Sequence, residues 1–215
     1  YFENYFFKKS DFIISLTEDS KNILKNIYKK KNILKIATCV DSLKFTKKNN
    51  YNQEVINFGY IGSIQHAYDF DKVLIFIKKL MLFRDNIFFY IFNDNINDKE
   101  LILDKINKNK IPKNRIKLIK YNHIEISKEL YDIDIGVFCL KENYSIKASF
   151  PTKIGEFLSM NIPIICNKFN SDIINILTNN KIGLLYNFQN NITVNEIYNQ
   201  INKIYNENKI NNYAR

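Results

Sequence analysis

From Val55 onward, short runs of β-branched and aromatic residues alternate with longer amphipathic stretches along the 215-residue chain. That alternation predicts repeated β-α units feeding a parallel sheet. Strands are expected at 55–61, 87–93, 115–121, 133–140, 163–167 and 183–186. Most are continuously apolar, as strands covered on both faces must be. Helices are expected at 69–83, 98–110, 125–131, 152–160, 171–178 and 193–206. Ser171-Asp172 and Asn97-Asp98 offer oxygen acceptors to first-turn amides and are expected to cap two of these helices, while Pro151 suits a helix start because it has no amide to leave unpaired. The expected fold class is α/β: a doubly wound, Rossmann-like parallel sheet with helices on both faces.

Ahead of this domain, a strand at 11–15, a helix at 17–29 and a strand at 33–37 read as the end of a preceding α/β unit. The polar stretch 46–53 reads as a linker, so the expected division is 1–45 for the preceding unit and its connection, 46–54 for the linker and 55–215 for the main domain. The chain begins at Tyr1-Phe2-Glu3-Asn4, without Met, which suggests a piece of a longer protein. No internal repeat is evident.

Composition narrows the function classes. A hydrophobic content of 46%, with 25% charged residues, five Gly and three Pro, is that of a globular domain able to bury a core. The net charge of +10 invites a nucleic-acid or membrane reading. Lys, Asn, Ile, Tyr and Phe are abundant together, however, which points to an AT-rich coding sequence and Lys-rich solvated faces, with a smaller share for real attraction to phosphate or to an anionic membrane. Cys39, Cys139 and Cys166 are far apart and form no C-x-x-C pair, so neither a disulfide framework nor a zinc site is indicated and a reducing cytoplasm fits best. No apolar run approaches the roughly 18 residues of a membrane span. His66 and His123 lack the partner spacing of a nucleophilic triad, and no metal cluster is evident.

A doubly wound sheet binds its ligand beyond the carboxyl ends of its strands, which singles out three loops. Gly59-Tyr60-Ile61-Gly62-Ser63 ends the first strand of the domain; it lacks the G-x-G-x-x-G spacing of dinucleotide sites, and Gly62 is open to either a tight turn or a close phosphate contact. Ser149-Phe150-Pro151-Thr152-Lys153-Ile154-Gly155-Glu156 opens a helix whose free amides and dipole favour an anion. Lys153 sits in its first turn, where an ammonium can add to those amides, and Glu156 lies about one turn on, where a carboxylate can accept from a ribose diol. The alternative is that Glu156 only complements the dipole and Lys153 is solvated. The third loop, Tyr121-Asn122-His123-Ile124, offers backbone polar groups and a ring to a bound base.

Three stretches carry a family resemblance: Phe58-Gly-Tyr-Ile-Gly62-Ser63, then Glu129-Leu-Tyr-Asp-Ile-Asp-Ile-Gly136, then Ser149-Phe-Pro-Thr-Lys-Ile-Gly-Glu156-Phe-Leu-Ser-Met-Asn-Ile-Pro163-Ile-Ile followed by Gly183-Leu-Leu. In order and spacing the chain resembles the group 1 family of retaining glycosyltransferases with the two-domain GT-B fold, from the end of the first domain through the donor-binding second domain. Asp11-Phe-Ile-Ile-Ser15 is similar to the segment leading out of the family's first domain, and Val40-Asp41 with Phe45 to its interdomain connection.

The resemblance implies a sugar transferase that uses a nucleotide diphosphate sugar as donor substrate, with no metal or other cofactor, and a saccharide or lipid-linked acceptor held by the other domain. It implies an enzyme of surface polysaccharide synthesis at the cytoplasmic side of the membrane; the basic charge adds peripheral contact with anionic lipid, and the lack of aromatics interleaved with Lys or Arg on one strand face argues against a nucleic-acid partner. Glu156 matches the family's ribose-binding glutamate and Gly62-Ser63 the loop facing the phosphates, and the position of Lys153 adds it to Tyr121, Asn122, Pro151 and Thr152 as donor-binding residues. Two departures stand out. The family's earlier glutamate, eight positions before the ribose-binding one, is Ala148 here, and Ser63-Ile-Gln-His-Ala-Tyr68 follows Gly62 where the family carries Arg and Lys. Lys153 or Lys141 are candidates for the missing charge, and the catalytic groups stay unassigned. A nucleotide-sugar epimerase of the same fold and a noncatalytic phosphate- or nucleic-acid-binding domain are the alternatives.

Overall fold

The structure, a computed structural model, describes residues 2–29, 32–41, 43–45, 54–95, 97–121, 126–188 and 193–206. Among these, α1 (Phe2–Lys9), β1 (Ile13–Ser15), α2 (Glu18–Tyr28) and β2 (Ile33–Lys35) come first, with β1 and β2 paired in parallel as a two-stranded sheet. The second sheet has six strands: β3 (Ile56–Ile61), β4 (Ile87–Phe92), β5 (Ile116–Ile119), β6 (Ile135–Phe138), β7 (Ile164–Cys166) and β8 (Gly183–Leu185). Its helices are α3 (Phe70–Phe83), α4 (Asp98–Lys108), α5 (Ile126–Glu129), α6 (Thr152–Ser159), α7 (Ser171–Asn180) and α8 (Val194–Asn206). They lie on both sides of the sheet, which has the Rossmann-like fold expected.

All strand pairs are parallel, in the order β5-β4-β3-β6-β7-β8. The crossover therefore turns back between β3 and β6, and the crevice beyond their carboxyl ends is the topological switch point. The central strands β6 and β7 are buried at every residue, whereas β5 and β8 at the two edges are only partly buried. That gradient is why the central runs read as continuously apolar. On α3, Phe70, Val73, Leu74, Phe76, Ile77, Leu80 and Met81 are all buried, a helical spacing that lays one stripe on the sheet. Each such side chain contributes about 1.5–3 kcal/mol when fully buried.

Every expected strand and helix from 55 to 206 is present, with ends moved by a few residues. Two cap assignments change. The N-cap of α7 is Asn170, whose side chain accepts from the Ile173 amide, rather than Ser171-Asp172. Asn97 precedes α4 in helical conformation and makes no side-chain cap bond, while the Asp98 carboxylate turns away toward Gln65 and Asn93. The stretch 46–53 read as a linker lies outside the described residues.

Ser171 and Asp172 instead join the two sheets. The Asp172 carboxylate accepts from the Glu18 amide at 2.6 Å and from Lys35 Nζ at 2.7 Å. In return Asp19 accepts from the Ser171 amide at 2.9 Å and from its hydroxyl at 2.7 Å. The first turns of α2 and α7 thus cap each other, each carboxylate lying against the positive end of the opposite helix. Asp172→Ala leaves the Glu18 amide and Lys35 without this acceptor. The expected loss is about 1–3 kcal/mol, read as faster amide exchange across β1, α2 and β2 while the six-stranded sheet keeps its protection.

Candidate functional site

Gly62 follows β3 directly and has φ +113°, a conformation that L side chains rarely adopt. Its amide donates to Phe92 O at 2.9 Å and its carbonyl accepts from Asn93 Nδ2 at 3.1 Å. The loop closes with Tyr60 Oη donating to Ser63 O at 2.5 Å and the Gln65 amide donating to Ser63 Oγ at 3.1 Å. Ser63 is thereby spent on shaping the turn. The Lys141 amide donates to Ala67 O at 2.8 Å, which ties the far end of this loop to the end of β6.

Helix α6 brings the second group of residues. It can approach the sheet because β6 carries glycine where the helix crosses: a Cβ on Gly136 would fall 2.7 Å from the Phe157 ring. Pro151 is its N-cap and makes no side-chain cap bond, so its side chain satisfies none of the first-turn amides. Thr152 at the first helical position is exposed. The Lys153 side chain folds back over Gly62, where an added Cβ would meet Lys153 Cε and lie 2.6 Å from its Nζ. The same ammonium stands 5.5 Å from the centre of the Tyr68 ring.

Charge gathers around that ammonium. Burial pushes the Lys153 pKa below the usual lysine range, while the carboxylates of Glu156 and Asp94 pull it back up. Tyr121, buried at the end of β5, has its phenol pushed up by burial first and then by Asp94, Glu156 and Tyr68. Tyr68 is shifted upward by burial and by Glu156. The carboxyl ends of β3, β4 and β5 and the first turn of α6 therefore converge on one patch: Gly62, Tyr68, Asp94, Tyr121, Lys153 and Glu156. An ammonium over a glycine turn beside uncapped helix amides suits a polyanion, and the flanking carboxylate and phenols suit hydroxyls and a ring.

Of the residues singled out in the sequence, Gly62, Tyr121, Lys153 and Glu156 come together, with Pro151 and Thr152 at the start of the same helix turn. Asn122 and His123 lie outside the described residues. His66 is exposed with φ 56° and Lys141 and Ala148 are exposed, Ala148 closing a 3-10 turn at 144–148. Sequence reasoning missed Tyr68 and Asp94. Asp94 stands two residues beyond β4, a strand end that the switch-point rule could have included; Tyr68 had no local signal. A cavity of about 450 Å³ beside β8 is lined by Lys168, Lys181 and Lys203 and by none of the residues of the patch. Lysines beside an edge strand fit protection of that edge. Among the described residues, His, Cys, Asp and Glu side chains form no group of three placed to hold a metal ion, and no helix is long and apolar enough to cross a membrane.

No protein-family model matches the sequence, and no curated protein sequence matches it. Solved structures do. A mutant of S. aureus TarM in complex with fondaparinux, alpha-GlcNAc-glycerol and UDP superimposes with a TM-score of 0.68 at 18% identity, over 97% of this chain and 40% of that one. Over this chain the α/β, Rossmann-like fold is similar to that of the glycosyltransferase structures matched. A glycosyltransferase from Rickettsia africae gives a TM-score of 0.67 at 16% identity, over 98% of this chain and 62% of that one. The C-terminal domain of a glycosyl transferase group 1 family protein (LpcC) from Francisella tularensis gives 0.54 at 16% identity, over 80% of this chain and 90% of that one. The chain thus spans about two-fifths of the TarM length.

Gly62→Ala tests the packing at the centre of the patch. A methyl there strains the backbone and displaces Lys153, with an expected cost of about 1–3 kcal/mol in thermal or denaturant unfolding. Release of the ammonium toward solvent removes the main cause of its depressed pKa, so its titration, followed by NMR at Cε, should move upward toward the ordinary lysine range.

Proposed function

We propose that this chain carries the donor site of a retaining, metal-independent glycosyltransferase, which binds a nucleotide diphosphate sugar and passes the sugar to a saccharide or lipid-linked acceptor. The observation that carries this reading is the meeting of the Lys153 ammonium, the Gly62 turn and the uncapped start of α6 at the switch point of the sheet. UDP in the TarM complex, on the same fold, supports a nucleoside diphosphate as the ligand class.

In this reading the diphosphate lies against the Gly62 turn, where the glycine lets it approach the backbone closely. Lys153 and the amides of Thr152 and Lys153 face it, so that charge arriving on the departing diphosphate meets cation and dipole already in place. A divalent metal supplies this stabilisation in other transferases; here the lysine and helix start take the role. Glu156 accepts from the ribose hydroxyls, and Tyr121 stands beside the base. The protein works at the cytoplasmic side of a membrane, where its excess of Lys also favours contact with anionic lipid. Surface polysaccharide synthesis is the process that such a donor and acceptor serve.

Titration of the chain with UDP, GDP, ADP and CMP, with and without magnesium, tests the site by calorimetry. Saturable binding of one nucleotide without a magnesium requirement is expected. Glu156→Ala and Lys153→Met should each weaken it by about tenfold or more, the usual scale for losing a hydrogen bond to a charged group. Absence of binding by any of the four at millimolar concentration would overturn the reading.

The pH dependence has a definite sign. Lys153 binds phosphate as the cation, and its pKa lies below that of an ordinary lysine. Affinity should therefore fall as pH rises through that depressed pKa, in a range where other lysines remain charged. The same linkage means that bound nucleotide raises the Lys153 pKa and that proton uptake accompanies binding in this range. Lys153→Met should flatten the pH profile as well as lower the affinity.

A further inference from the structure

Asp98 is 2% exposed at the first position of α4, and among the described residues no lysine, arginine or histidine forms an ion pair with it. A buried carboxylate without a cation is costly unless hydrogen bonds replace the lost water. Both of its oxygens are engaged. Oδ1 accepts from Gln65 Nε2 at 2.9 Å and Oδ2 accepts from Asn93 Nδ2 at 3.2 Å. The same Asn93 amide donates to the Gly62 carbonyl at 3.1 Å, and Gln65 closes the turn on Ser63. One carboxylate therefore holds the beginning and the end of the 62–65 loop against the first turn of α4, whose dipole favours its negative charge.

Within the loop, the Ser63 hydroxyl closes the turn on the Gln65 amide, but nothing in it fixes Gly62. Gly62 adopts a backbone angle that glycine alone adopts freely, and glycine also leaves the unfolded loop the widest choice of conformations. A fixed direction for the Gly62 peptide comes from outside, through Asn93. We infer that Asp98 is a positioning residue: through Asn93 and Gln65 it fixes the backbone of the Gly62-Ser63-Ile64-Gln65 turn in the orientation that receives the diphosphate. The inference rests on the donor-site reading above, and Asp98 itself touches no ligand.

Two substitutions separate this role from general structural support. Asp98→Asn keeps the shape but turns one acceptor into a donor facing an amide; Asp98→Ala removes both acceptors. Hydrogen exchange and UDP titration are read on the full chain for both, with Gln65→Leu as a third variant should Asp98→Ala fail to fold. Exchange at the Gly62 and Gln65 amides should speed up by about tenfold or more, while β6 and β7 stay protected. Affinity for UDP and for inorganic pyrophosphate should fall by a common factor of about ten, because the lost element serves the phosphates. Affinity for uridine, which has no phosphate, should not change.

Uniform loss of protection across the sheet would mean that Asp98 supports the fold and nothing more specific. Unchanged diphosphate affinity in Asp98→Asn, with wild-type binding intact, would overturn the positioning role and leave the donor-site reading standing. Failure of the wild-type chain to bind UDP, GDP, ADP or CMP would remove that reading and this inference together.

Discussion

The site depends on how closely helix α6 can lie against the end of the sheet. Two positions without side chains permit that approach: Gly136 beneath the Phe157 ring and Gly62 beneath the Lys153 stem. At both, a Cβ would lie within normally forbidden distance of α6 side chains, one of them the rigid ring of Phe157. The parallel pairing of β3 and β6 brings Gly136 and the Gly62 turn to the same end of the sheet, since Gly59 pairs with Gly136 and Gly62 follows the end of β3. A helix seated this low delivers its first turn to the switch point, and that seat puts the ammonium of Lys153 over the glycine turn.

Close seating also sets the electrostatics. The stem of Lys153 is removed from water by the same contacts that position it, and this burial is the largest influence on its pKa. Glu156 one turn later and Asp94 at the end of β4 act in the opposite direction. Both phenols nearby are held further from ionisation, Tyr68 by burial and Glu156, and Tyr121 by burial, Asp94 and Glu156, so they remain neutral donors. In the proposed donor site, a cation kept by two anions and bordered by neutral hydroxyls suits a ligand with negative charge at one end and hydroxyls at the other. Where the α2 and α7 starts are closed by each other's carboxylates, the α6 start keeps its first-turn amides clear of a side-chain cap.

Most of the fold was legible because it follows from local periodicity. The apolar runs of β6 and β7 and the seven-residue stripe of α3 need nothing beyond the sequence to be recognised. What escaped depends on partners distant in the chain. Ser171 and Asp172 read as caps by residue type, yet their partners are Asp19, Glu18 and Lys35, more than 130 positions away. Asp98 reads as a cap for the same reason and serves Gln65 and Asn93 instead. In the site, Gly62, Lys153 and Glu156 lay in recognisable loops, whereas Tyr68 and Asp94 joined them only through strand order. The helix α1 was also missed: none of its residues is buried, so no apolar stripe against the sheet marks it.

The departures from the group 1 pattern become intelligible in the same terms. A diphosphate needs positive charge within a few ångströms, but its source in the chain is immaterial, because Coulomb attraction depends on distance and dielectric rather than on sequence position. Where the resembled family carries Arg and Lys just after the glycine turn, this chain has Ser63, Ile64 and Gln65. Each of these is engaged otherwise: Ser63 and Gln65 in hydrogen bonds that shape the turn, and Ile64 buried at 4% exposure. The ammonium beside Gly62 comes from the opposite side, from α6, and lies almost in van der Waals contact with the glycine. In the proposed donor site one partly desolvated lysine takes the place of two basic residues on the loop. Its weaker hydration than that of an exposed lysine lowers the cost of exchanging water for phosphate. The loop is then free to be small, held by its own Ser63 bond to the Gln65 amide and by Asp98 through Asn93 and Gln65.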